Sequence, residues 1–77
     1  MPVVYRQDGF RFIMRFNDHR PLHVHVENSD GEIVVTLESF NVATKKKGMK
    51  PRDVAHAVGI VVERQEYLIE EWKKIHG

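Results

Sequence analysis

A period-two alternation of apolar and polar residues runs through the first half of this chain and leaves few folds open. Phe10, Phe12, Met14 and Phe16 fall on one side while Arg11, Ile13 and Arg15 fall on the other. That is the signature of a strand with one face toward a core. Val3 and Tyr5 begin an earlier strand, and Asp8-Gly9 between the two suits a two-residue hairpin turn, because glycine accepts positive φ. Leu22, Val24 and Val26 alternate with His23 and His25, and Ile33, Val35 and Leu37 alternate with Glu32, Val34 and Thr36. Asn17-Asp18 and Asn28-Ser29-Asp30-Gly31 supply the breaks between these runs. The pattern predicts a four-stranded antiparallel meander over residues 1–38.

The second half changes period. Pro51 suits the first position of a helix, where its missing N–H costs nothing, although Lys50 is a poor N-cap. Val54, Val58, Val61, Leu68, Trp72 and Ile75 then recur at helical spacing. This predicts one long C-terminal amphipathic helix over 51–76, bent if anywhere at Gly59, and packed on the face of Phe10, Phe12, Met14 and Phe16. Phe40, Val42 and Ala43 should be pinned to the core, and the rest of 39–50 reads as a basic loop. With 77 residues the chain is expected to form a single α+β domain over 1–77. So short a chain buries only about 60% of its unfolded surface, which favours a shallow or shared site over a deep cavity.

The absence of cysteine rules out disulfides, thiolate metal sites and a cysteine nucleophile. The longest apolar run, at Val58 to Val62, is far short of a membrane span, and the opening residues do not read as a secretory signal. A cytoplasmic protein with no membrane contact is expected. Net charge is only +1, but Lys45, Lys46, Lys47, Lys50 and Arg52 cluster, while Glu63, Glu66, Glu70 and Glu71 line the last segment. That polarity could serve a nucleic acid or an acidic partner.

Three of the five histidines fall within seven residues, His19-Arg20-Pro21-Leu22-His23-Val24-His25. On a strand His23 and His25 share a face about 7 Å apart, and His19 could fold over them from the preceding turn. Imidazole titrates near neutrality, so one ring could act as base and another as acid. Arg11 and Arg15 should lie on the same face and could hold a phosphate, as could Lys45, Lys46 and Lys47. The same three histidines could instead ligate zinc or nickel with a coordination position left open. Or His23 and His25 could simply pair with Glu27, Glu32 or a backbone carbonyl. His56 and His76 read as exposed helix residues.

The run from Phe16 to Val26, with His23-Val24-His25-Val26 at its end, resembles the signature of a bacterial family, domain of unknown function 4160. Gly9-Phe10-Arg11-Phe12 and Gly48-Met49-Lys50-Pro51 extend the likeness over nearly the whole chain. Pro21-Leu22 and Lys50 depart from the family's usual double proline and serine. The resemblance implies a component of a toxin–antitoxin-type pair, with a protein partner encoded beside it and a role directed at nucleic acid. Residues and resemblance together point to a protein that binds or acts on RNA through a His/Arg sheet face. In its sharpest form it is a metal-independent ribonuclease in which His23 and His25 exchange protons, His19 assists, and Arg11 and Arg15 hold phosphate. The alternatives are a non-catalytic binding module, dimerising or docking a partner through that face, and a His-ligated metal protein.

Overall fold

The computed structural model describes residues 3–76, with the backbone alone at 44–47. Its elements are strands β1 (Val3–Gln7), β2 (Phe10–Ile13), β3 (His23–Glu27), β4 (Gly31–Thr36) and β5 (Val42–Lys47), followed by helices α1 (Pro51–Glu63) and α2 (Gln65–His76). The strands form one antiparallel sheet in chain order. The α+β class and the meander hold, with one strand more and one helix more than the sequence predicts.

The turns form where their residues require them. Asp8 and Gly9 both take positive φ, 53° and 82°, as a two-residue hairpin closing Gln7 onto Phe10 demands. Asn28 Oδ1 accepts the N–H groups of Asp30 and Gly31 at 2.9 and 3.0 Å and so starts β4. Cross-strand register then fixes the two faces. Phe12 pairs with Val26, Val26 with Ile33 and Val24 with Val35, and all are fully buried beneath the helices. Ala57, Ile60 and Val61 of α1 and Leu68 and Trp72 of α2 complete that core, together with Met49.

Four expectations are corrected. The segment read as a basic loop holds β5 through its middle, from Val42 to Lys47. Three lysines look like solvated loop, but lysine is also a common residue on an edge strand, which it protects from pairing with another sheet. Val42 and Ala43 are exposed there, while Phe40 packs against the core.

The single helix is broken at Arg64, not Gly59. Arg64 leaves helical geometry at φ −108° and ψ 19°, with its N–H still bonded to Ile60 O. A straight helix over 51–76 would be about 39 Å long. The longest dimension of the molecule is 33 Å, so the break keeps Leu68 and Trp72 on the core. Gln65 Nε2 donates to Leu37 O at 2.8 Å and ties the start of α2 to the sheet.

Phe16 is the last correction. It is 77% exposed, because β2 stops at Ile13 and the chain turns before Phe16 can continue the alternation. Lys50 makes no side-chain cap and Pro51 opens α1, as expected.

The opposite face of the sheet carries Ile13, His25 and Val34 in one cross-strand row. Ile13 is buried there, outside the main core, and His25 is 9% exposed. That face is therefore not a freely solvated one at its β2–β3 end. Phe12→Ala should cost about 3–5 kcal/mol of stability, since a large fully buried ring leaves a cavity. Phe16→Ala should stay within about 0.5 kcal/mol, and urea unfolding of both variants checks the contrast.

Candidate functional site

Between β2 and β3 the chain folds back on itself. Asp18 N–H donates to Arg15 O at 3.2 Å, and Asp18 Oδ2 accepts Arg15 N–H at 2.9 Å. This closed turn brings the Asp18 carboxylate over the start of β3. Asp18 Oδ1 lies 3.2 Å from His25 Nε2 and 3.5 Å from His23 Nε2. The two imidazoles meet edge to face, with ring centres 5.2 Å apart.

Each ring also has a neighbour behind it. His23 Nδ1 donates to Pro21 O at 2.8 Å, and His25 Nδ1 lies 3.4 Å from Glu32 Oε2. A carbonyl oxygen only accepts, so His23 carries its proton on Nδ1 and, when neutral, turns a bare Nε2 lone pair toward a carboxylate oxygen. Two acceptors facing each other need a positive charge between them, either a proton or a metal ion. Glu32 Oε2 has the same need, since it is closed off from solvent and accepts no hydrogen bond among the described residues. The Arg15 guanidinium lies beside this group, with Nη1 3.2 Å from His25 Nδ1 and Nη2 3.8 Å from Glu32 Oε2.

Helix α2 closes the site from the other side. Trp72 packs on His23 at 5.2 Å between ring centres, and His76 stacks on Trp72 at 3.9 Å. His76 Nε2 donates to Arg15 O at 2.9 Å, so the last turn of α2 grips the same loop that carries Asp18. Beside Asp18 opens a cleft of about 650 Å³, lined by His19, Arg20, Trp72, Lys73 and His76.

The histidine pair therefore comes together as the alternation implies, but His19 does not join it. His19 sits exposed at the rim of the cleft, and Asp18 takes the place beside the pair. Arg15 reaches His25, whereas Arg11 lies further along the sheet, paired with Glu27 at 2.7 Å. The side chains of Lys45, Lys46 and Lys47 lie outside the described residues. His56 is exposed and pairs with Asp8, as a surface histidine should. The sequence reading names Glu27, Glu32 or a backbone carbonyl as simple partners for the pair, without assigning them. His23 bonds to Pro21 O, His25 lies 3.4 Å from Glu32, and Glu27 is taken by Arg11. It misses Asp18, whose Asn-Asp context reads as turn chemistry, and it misses His76, whose docking needs the break at Arg64 to be known.

Residues 9–73 match the profile of a family described as Domain of unknown function (DUF4160). The chain belongs to that family. The DUF4160 match takes in Asp18, His23, His25, Glu32 and Trp72, and stops short of His76. No curated protein and no solved structure matches the chain. Among the described residues no helix is long and apolar enough to cross a membrane.

Burial by itself pushes the Asp18 carboxyl up. The Arg15 N–H, the His25 hydrogen bond and the charges on His25 and His23 outweigh it and hold the group below its ordinary value of 3.8. The unfolded chain thus binds this proton more readily than the folded one. The stabilisation is complete above a pH of about 4 and is lost as the pH falls through the lower folded value. The Asp18→Asn variant should accordingly be less stable than the native protein at neutral pH. That gap should narrow on acidification below about pH 4, which urea unfolding at a series of pH values measures.

Proposed function

We propose that the protein binds a divalent transition-metal ion between Asp18 Oδ1, His23 Nε2 and His25 Nε2. The observation that carries this reading is convergence. The three ligand atoms all lie within 4.8 Å of one another, the Nε2 atoms of both imidazoles lie beside Asp18 Oδ1, and Pro21 O holds His23 from behind. Two ligands bound at about 2.0–2.1 Å and subtending a tetrahedral angle stand about 3.4 Å apart. The distances here from Asp18 Oδ1 to the two rings are 3.2 and 3.5 Å. A ligating histidine usually donates its other ring N–H to a carbonyl, a carboxylate or water that fixes the ring, and Pro21 O holds His23 in this way. Two imidazoles and one carboxylate form a mixed nitrogen and oxygen set suited to zinc, nickel, cobalt or iron(II), with coordination positions left for water or substrate.

A second reading shares the same centre. In a toxin–antitoxin-type component directed at RNA, His23 and His25 would exchange protons without a metal. The hydrogen bond from His25 Nε2 to Asp18 supports it, since a carboxylate orients an imidazole for acid–base work. The partner protein encoded in the same module belongs to this proposal too, and binding to such a partner does not require catalysis.

Calorimetric titration of the metal-free protein with zinc or nickel decides between the two. We expect one ion per chain, with Asp18→Ala and His25→Ala each weakening binding by at least about 100-fold. His19→Ala should leave it unchanged. A ligand at 100 times its dissociation constant should raise the unfolding free energy by about 2.7 kcal/mol. Absence of metal binding, with labelled RNA cleaved in chelator and that cleavage lost in His23→Ala/His25→Ala, would hand the site to the second reading.

A further inference from the structure

We infer that the cleft beside Asp18 binds a phosphate group, one oxygen of which completes the coordination of the ion and the others meet Arg20, His19 and Lys73. The inference rests on the metal reading above and names what that site takes.

Asp18 belongs both to the ligand trio and to the wall of the cleft, so a group bound in the cleft adjoins the trio at Asp18. A dication beside a single ligating carboxylate keeps a net positive charge. The rest of the lining adds to it. Arg20 and Lys73 are cationic and His19 offers an N–H, while Asp18 is the only acid among the lining residues. The side chains of His19 and Arg20 have no hydrogen bond or ion pair among the described residues. Among the described residues Lys73 is engaged only by Glu70 at 3.7 Å, with both side chains about two-thirds exposed, a pair too solvated to hold it.

These groups come from two elements, the loop before β3 and the last turns of α2, with the cation as a third point. A carboxylate has two oxygens to offer them. A phosphate ester has three, in a tetrahedral array, and guanidinium binds such oxygens in pairs. The volume of about 650 Å³ is far more than a lone phosphate fills and falls within the usual range for small-molecule sites of about 300–1,000 Å³. The cleft thus has room for a phosphate ester carrying a further group, either a small phosphorylated molecule or the phosphorylated end of an oligonucleotide. The arginines of the sheet are not the phosphate contacts in this arrangement, since Arg11 is turned to Glu27 and Arg15 to His25.

The experiment uses the intact chain and cobalt(II), whose visible spectrum reports changes in its ligands. Cobalt(II) is titrated first, and then inorganic phosphate is added to the loaded protein. We expect the cobalt band to shift and calorimetry to show saturable binding. In Arg20→Ala/Lys73→Ala, two exposed positions, phosphate should bind at least about tenfold more weakly while cobalt(II) binds as before. A 5′-phosphorylated dinucleotide that binds more tightly than its 5′-hydroxyl form would assign the phosphate to an oligonucleotide end. Binding of inorganic phosphate with no gain from the dinucleotide would support the phosphate site and exclude an oligonucleotide end as its ligand. Cobalt(II) bound without any response to phosphate, or phosphate bound equally well by the double variant, overturns this inference and leaves the metal site standing. If cobalt(II), zinc and nickel all fail to bind, the metal reading falls and this inference with it, which the first titration shows by itself.

Discussion

The Asp18 carboxylate caps its own turn. Its acceptance of the Arg15 N–H helps fix the path between β2 and β3 and sets a carboxylate beside both histidines of β3. One oxygen closes the loop and the other reaches both imidazoles. The same side chain therefore does a structural and a chemical task. The cost of burying its charge is offset by charge-assisted contacts on both oxygens, which is why its pKa falls where burial alone would raise it.

What could be read from the sequence follows from how local each signal is. Asp8-Gly9 and Asn28 set their turns through their own backbone preferences, and both turns form as read. The alternation from Phe10 to Met14 and from Leu22 to Leu37 assigns the faces because a strand in fixed register has only two sides. The errors arise where a distant contact decides. Phe16 continues the alternation in sequence, but the turn closed by Asp18 takes it out of the sheet. Arg64 is a good helix former, and nothing local marks the break that keeps Leu68 and Trp72 on the core. Lys45 to Lys47 carry a charge pattern common to loops and edge strands, and pairing with β4 decides between them.

The site shows the same division. His23 and His25 could be found from their spacing, since a period of two must place them on one face. Neither Asp18 nor His76 carries such a signal. Asp18 becomes a partner of the histidines through the geometry of a four-residue turn. His76 becomes one of its supports only through packing between the ends of the chain. The basic rim at Arg20 and Lys73 is likewise a product of folding, because those residues are far apart in sequence and meet only across the cleft.

The loop before β3 is anchored twice, by Asp18 to its own backbone and by His76 to Arg15 O. A segment tethered at both points has lost most of its freedom when the chain folds. A ligand entering the cleft therefore meets groups already in place, and little further ordering entropy opposes its binding. In so small a domain that is a substantial advantage, since few contacts are available to compensate for a loop that must order itself around each ligand.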